Sequence, residues 1–422
     1  MRNKTSLLLF FWGFVYLAGF SQSTRSPFSA FGLGEPYGSA LINNHGMAGL
    51  GVSNPSYWYI NNQNPAMLVF NRFATFHAGM VMEQRTATNG AVTETNGNGN
   101  LNYFVLGMPI KAGKMSTSVG LMPFTYKNYL LSYDAAVGGT GTPYRVREQG
   151  SGGISQLYWA NGFAVTKDFS VGLRANYLFS SLESRFTNEV MLPGVVPFAP
   201  QILERYHFSD FSFQAGLSYR KDSVFNSRNR INFGLVYGLQ SDINTRFFKT
   251  FRRTQAGIAA PQVDTLVNNV RGRTTLPSFI QAGVSFGRTE RWLIGVDFHY
   301  SDYGQFRNFA GNSEGGQPNW RWVVGGEVTP DPASLSNYLK RITYRSGISV
   351  EQYPFLINGN TLRDFGINFG LSLPVSRIST LDLALRVGRR GDIQNTAIEE
   401  NYIKFYFGAT FNDQWFIKRR FD

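Results

Sequence analysis

Apolar residues recur at every second position along most of this chain, and that period constrains its fold more than any other feature. In 169–179, Phe169, Val171, Leu173, Ala175, Tyr177 and Phe179 share one face, and Ser170, Gly172, Arg174 and Asn176 share the other. In 381–387, Leu381, Leu383, Leu385 and Val387 oppose Asp382 and Arg386, and further on Phe405, Phe407, Ala409 and Phe411 oppose Lys404, Tyr406 and Thr410. Side chains of a strand point alternately to its two faces, so this texture predicts strands with one apolar side. Such segments occur at 74–84, 101–110, 115–130, 153–166, 169–182, 206–220, 230–250, 276–287, 291–303, 320–329, 340–352, 362–373, 380–388 and 401–411, fourteen in all. Each is near or above the length a tilted strand needs to cross a bilayer.

The connections alternate as well. Those at 85–100, 131–152, 183–205, 251–275, 304–319, 353–361 and 389–400 are long and rich in Gly, Asn, Thr and Ser, whereas those between them are short. Long loops on one side and short turns on the other are the pattern of outer-membrane barrels, and an even strand count puts both ends of the wall on the short-turn side. Lipid offers no hydrogen-bond partner to an open strand edge, so the sheet must close. The expected fold is all-β: a 14-stranded antiparallel outer-membrane barrel. A soluble β-sandwich does not keep such hairpin asymmetry in register over fourteen strands.

Composition agrees with this. Only 16% of the 422 residues are charged, mean hydropathy is -0.19, and no apolar run after residue 20 is long enough for a membrane helix. No linker or low-complexity block divides the chain. Arg2 and Lys4 followed by the apolar run from Leu7 to Phe20, with Gly19-Phe20-Ser21 as a cleavage site, read as a signal peptide over 1–21. With no cysteine there is neither a disulfide nor a lipid-attachment cysteine, so ladder and packing alone must stabilise an exported chain. The formal net charge of +13 is scattered over short groups such as Arg252-Arg253, Arg389-Arg390 and Lys418-Arg419-Arg420, which argues for contact with anionic lipid and against nucleic acid.

Between the leader and the first strand lies a different texture. Gly32, Gly34, Gly38, Gly46, Gly49 and Gly51 interrupt any helix or strand, and the turn Asn61-Asn62-Gln63-Asn64-Pro65-Ala66 ends the stretch. The run Phe28-Ser29-Ala30-Phe31-Gly32-Leu33-Gly34, the Asn64-Pro65-Ala66 turn and Phe70-Asn71-Arg72-Phe73-Ala74-Thr75-Phe76-His77-Ala78-Gly79 together resemble the start of FadL-type outer-membrane transporters. A second matching patch is Leu276-Pro277-Ser278 leading to Tyr300-Ser301-Asp302-Tyr303-Gly304-Gln305-Phe306. The resemblance implies a hatch over 22–73 inside a barrel over 74–411. The residues 412–422 depart from the common barrel ending and read as a periplasmic tail, with an interfacial anchor as the alternative. The resemblance also implies passive uptake of a hydrophobic small molecule such as a long-chain fatty acid, which leaves sideways into the membrane at a kink in strand three. Pro123, which removes a ladder donor from that strand, is the candidate for the lateral opening, with a harmless break near the rim as the alternative.

The expected ligand-binding residues are Phe28, Phe31 and Leu33 from the hatch and Phe104, Leu106 and Met108 from strand two. There Phe104, Leu106, Met108 and Ile110 oppose Tyr103 and Val105, so both faces are apolar and one can line a greasy lumen or pack on the hatch. Neither a cofactor nor a metal is expected: His45, His77, His207 and His299 lack metal-ligand spacing. His207-Phe208-Ser209 matches the His-x-Ser spacing of outer-membrane lipases but comes with no assignable acid, so no enzyme is expected. The competing expectation is a barrel that binds a protein through its loops or tail, as in the PorV-like shuttles of type IX secretion. A continuous apolar lumen favours transport, and a sealed lumen favours the partner role.

Overall fold

Fourteen strands run up and down one closed wall in the computed structural model, which describes residues 24–136, 143–190, 198–226, 228–255, 262–313, 316–376 and 378–414. They are β1 (Ala74–Thr88), β2 (Thr93–Lys111), β3 (Met115–Tyr126, resuming at Tyr129–Ala136), β4 (Pro143–Ala164), β5 (Phe169–Val190), β6 (Phe198–Asp222) and β7 (Asn229–Gly238, resuming at Ser241–Gln255). There follow β8 (Gln262–Leu276, resuming at Phe279–Arg288), β9 (Trp292–Ser301), β10 (Asn319–Val328), β11 (Thr343–Ile357), β12 (Asn360–Pro374), β13 (Thr380–Asp392) and β14 (Ile398–Asp413). Every strand pairs antiparallel with its neighbours, and β14 closes on β1 in a continuous register from Asp413↔Ala74 to Glu399↔Thr88. The leader at 1–21 and the tail from Trp415 lie outside the described residues.

The expected faces are the observed ones on β5, β13 and β14. Ser170, Gly172, Arg174 and Asn176 point inward and are buried, as are Asp382 and Arg386, while Leu173, Leu385 and Phe411 are exposed on the outside. Strand β2 departs from expectation. Its inward residues are Tyr103 and Val105, each 1% exposed, whereas Phe104 is 41% exposed beside Leu121 of β3. Phe104, Leu106 and Met108 therefore belong to the outer face and do not line the lumen. With both faces apolar, periodicity alone could not tell inside from outside.

The long connections are shorter than expected because the ladder continues through them. Strand β6 has 25 residues, more than twice the roughly 10 that cross a bilayer, and β1 and β2 stay paired up to Thr88↔Thr93. Beyond the membrane both faces of a strand are wet, so Thr, Asn and Gly suffice there. Apolar alternation disappears although the backbone pairing does not. Asn358 and Gly359, both at positive φ, form the two-residue turn that joins β11 to β12.

Candidate functional site

The lumen is occupied by the chain's own residues. Leu41, Ile42, Met47, Leu50, Ile60 and Leu68 are at most 2% exposed, and they meet the wall where it carries glycine. A Cβ on Gly79 of β1 would stand 2.7 Å from Ile42, and one on Gly107 of β2 would stand 2.8 Å from Ile60. Across the ring, Gly325 of β10 and Gly347 of β11 leave room for Met47, and Gly370 of β12 for Gly46. Gly172, Gly216, Gly234 and Gly283 on β5 to β8 back onto Val52, Asn64 and Pro65 in the same way. Contacts on all sides seat the segment inside the wall, at separations no larger residue permits.

An irregular, dry segment needs hydrogen-bond partners for its backbone, and the inward polar residues of the wall provide them. Asp297 of β9 accepts from the Gly51 and Val52 amides at 2.7 and 2.9 Å, and the Tyr103 hydroxyl accepts from the Ile42 amide at 2.9 Å. Arg174 of β5 donates to the Asn62 carbonyl at 2.7 Å, Asn368 of β12 to the His45 carbonyl at 2.7 Å, and Ser170 to the Ala66 carbonyl at 2.9 Å. The polar inner face thus serves the segment's backbone rather than a water column. Within the expected hatch turn, Asn64 is fully buried and accepts from the Ala66 amide at 3.0 Å. Pro65 opens the short 3-10 helix Pro65–Phe70, whose first turn needs no proline N–H.

Beside β3 the wall has a seam. The β2–β3 ladder runs from Lys111↔Met115 only as far as Phe104↔Leu121, and Pro123 follows two residues later at a register shift between β3 and β4. From there β3 pairs with the two-residue strand Glu35–Pro36, in the register Glu35↔Tyr126 and Pro36↔Thr125. The Tyr37 amide donates to the Phe124 carbonyl at 3.0 Å, the Ser26 amide to the Asn128 carbonyl at 2.8 Å, and the Arg25 amide to Asn96 of β2 at 2.9 Å. Residues 24–37 therefore fill the place where β2 and β3 part.

A buried charge network locks that filling. Glu35 meets Arg85 of β1 at 2.9 Å and Arg390 of β13 at 2.7 Å. Arg85 also meets Glu83 at 2.6 Å and Glu400 at 3.2 Å, and Asp364 of β12 takes Arg386 at 2.6 Å and Arg390 at 3.0 Å. Lys404 meets Glu83 at 3.1 Å. Four carboxylates thus balance four cations. Burial alone would raise the Glu35 pKa, but Arg390, Arg85 and Lys404 hold its carboxyl well below the usual range. Beside the network is a cavity of about 50 Å³, lined by Tyr37, His45, Glu83, Tyr126 and Lys404, and the seam residues Pro36, Phe124 and Thr125 also line the larger cavity on the other side.

On the long-strand side of the segment is a larger cavity of about 280 Å³. Phe279, Phe306 and Phe355 contribute apolar wall, and Arg174, Asp297, His299, Arg321 and Glu351 contribute polar wall. Of the expected ligand residues, Leu33 lines this cavity, and Phe31 stacks on Phe355 with ring centroids 5.6 Å apart. Phe28 packs away from it, with Tyr353, Phe355 and Leu362. His45 lines both cavities and separates them, its ring stacked on Tyr406 at 4.3 Å and both its nitrogens without a hydrogen-bond partner. His207 and Ser209 share a face, but the Ser209 hydroxyl bonds Tyr177 at 2.8 Å and His207 packs edge-on against Phe248. Sequence reasoning missed the glycine ring and the charge network. Inward glycines in otherwise regular strands were the available sign of the first.

A family model described as BamG matches residues 1–422. No curated protein sequence matches the chain. Among solved structures, a Pseudomonas aeruginosa FadL homologue is similar at 11% identity and a TM-score of 0.57, covering 90% of this chain and 99% of that one. The CymD monoaromatic hydrocarbon channel is similar at 13% identity and a TM-score of 0.54, with 91% and 99% covered. The P. putida toluene transporter TodX is similar at 13% identity and a TM-score of 0.53, with 90% and 99% covered. At these identities the likeness is one of fold: a closed 14-stranded barrel of the FadL type.

Proposed function

The chain belongs to the BamG family, and from that premise we propose that it is an outer-membrane barrel serving a protein partner, with its lumen kept closed. The observation that carries this reading is the filled lumen. The segment over 24–73 meets the wall through inward glycines, has its backbone bonded by inward polar side chains, and is tied at the seam by Glu35. A family name that carries the prefix of the Bam complex supports a protein partner.

Closure rests on the two pairings of Glu35 together. A small hydrocarbon burying about 150 Å² gains roughly 4 kcal/mol at about 25 cal/mol per Å². Removing one partner from a buried ion pair costs roughly 3–5 kcal/mol, and Glu35 faces two arginines. Ligand burial thus offsets the loss of about one such pairing while Glu35 holds two, and the smaller space behind the seam is lined by Glu83 and Lys404.

The second reading is passive uptake of a hydrophobic small molecule, with capture in the 280 Å³ cavity and lateral exit beside Pro123. The aromatic wall of that cavity and the hydrocarbon channels of similar fold favour it. The two readings separate in cells lacking the chain. The partner reading expects unchanged uptake of a labelled monoaromatic hydrocarbon and loss of a protein complex that the intact chain retains in mild detergent. Reduced uptake with no complex lost contradicts it.

A further inference from the structure

The short-turn end of the lumen opens into a cavity of about 330 Å³, within the range of roughly 300–1,000 Å³ that suits an organic ligand. Its floor is Tyr57 and Trp58, from the segment that fills the barrel, and its rim carries Arg230, Arg288 and Arg341. The carboxylates that line it are already engaged: Glu290 accepts from the Trp58 indole at 2.9 Å, and Glu327 pairs with Arg345 at 2.8 Å.

The cations are in surplus. Among the described residues, Arg288 and Arg341 have no carboxylate within 4.0 Å, and Arg341 only overlies the Tyr338 ring at 5.1 Å. The Arg220 and Arg230 guanidiniums both approach the Tyr57 hydroxyl at 3.5 Å. Burial would raise that hydroxyl's pKa, but Arg230 and Arg220 bring it below its ordinary value, a sign of a local positive field. One buried donor in the lining, the Thr289 hydroxyl, has no hydrogen-bond partner, whereas Arg230 Nε faces Asp222 at 3.7 Å. An unpaired buried hydroxyl beside the two guanidiniums of Arg288 and Arg341, which no carboxylate neutralises, describes a receptor for oxyanions.

We infer that this mouth docks an acidic peptide segment of a partner protein, its carboxylates taken by Arg230, Arg288 and Arg341 and its side chains packed on Tyr57 and Trp58. Charge complementarity chooses an acidic segment. Aromatic walls and the cavity's size favour a peptide over a free anion. The inference rests on the partner reading and gives that partner a chemistry and a place.

The test uses the full chain in detergent and a fluorescein-labelled peptide alternating Glu with Trp or Phe, read by fluorescence polarisation. The acidic peptide is expected to bind, more weakly as salt rises, and its counterpart with Lys in place of Glu is not. The double variant R288E/R341E, placed on the rim away from the packed segment, should weaken binding by about tenfold or more, while R288K/R341K stays close to the parent. Retention of the heat-modifiable barrel band on a gel verifies folding. Equal binding by R288E/R341E overturns the inference. So does inorganic phosphate that displaces the peptide at equal concentration, which would mark a site for free oxyanions. A co-purifying partner that R288E/R341E retains undisturbed overturns this site alone and leaves the partner reading standing.

Discussion

Gly347 and His45 show how single residues hold the filled lumen. A Cβ on Gly347 would stand 2.5 Å from the Met47 backbone, so Gly347→Val must displace the segment or the strand. Overpacking of this kind costs about 1–3 kcal/mol. Limited proteolysis should cut 41–70 faster in G347V than in the outward-facing control I348V, and equal rates would contradict the fit. His45 sets the pH dependence. Burial pushes its imidazole down to about 3, with Arg321, Arg386 and Lys404 adding to the effect. The folded chain therefore keeps it neutral while the released segment takes a proton near the ordinary value of about 6.5. Its contribution is complete above that value and is lost as pH falls toward 3, by about 2 kcal/mol at pH 5. Glu35, with its depressed pKa, gives way only at lower pH, from about 4.5 downward. Protection factors in 41–70, corrected for the slower intrinsic exchange at acid pH, should fall between pH 7.5 and pH 5 in the parent and much less in H45L; equal falls would remove His45 from the account.

At the level of elements, the wall was legible in the sequence and its filling was not. Phe169 to Phe179 or Leu381 to Val387 announce their faces because lipid demands apolar residues on one side only. The long strands past the membrane were read as loops because Thr and Asn on two wet faces leave no period. Phe104 was assigned inward because Tyr103 and Val105 are as apolar as it is. The Asn64-Pro65-Ala66 turn could be found locally. The pairing of Met47 with Gly325 and Gly347 joins residues hundreds of positions apart and has no local trace. The seam carries a prediction of its own. Pro36 and Thr125 face each other in the ladder, and the chain has no other cysteine to interfere, so P36C/T125C should cross-link on oxidation. With the seam locked, the partner complex should form as before; loss of hydrocarbon uptake in the cross-linked form alone would point to lateral exit instead. Glu35→Gln removes one of the two carboxylates that Arg85 and Arg390 share, leaving Glu400 at 3.2 and 3.7 Å, and a lost partner in a buried ion pair costs roughly 3–5 kcal/mol. Cleavage within 24–37 should accelerate accordingly, and an unchanged cleavage pattern would show that the network does not hold the seam.

For the whole molecule, one architecture serves two readings that differ in what occupies the lumen. A transporter of this fold needs a path that apolar matter can follow. Here the cavity of about 280 Å³ reaches the seam at Pro36, Phe124 and Thr125, but the pairing of Glu35 with Arg85 and Arg390 holds that seam shut, and the short-turn mouth is rich in arginine. Fold likeness to hydrocarbon channels does not decide function, because function lies in the site rather than in the barrel. The measurement that bears most directly on the central claim is native mass spectrometry of the chain extracted in mild detergent. The account predicts the mass of the chain together with a protein partner and no small apolar ligand. A chain that flies alone with a bound apolar mass of a few hundred daltons, an order-of-magnitude figure for a pocket-sized ligand, would contradict it and return the barrel to transport.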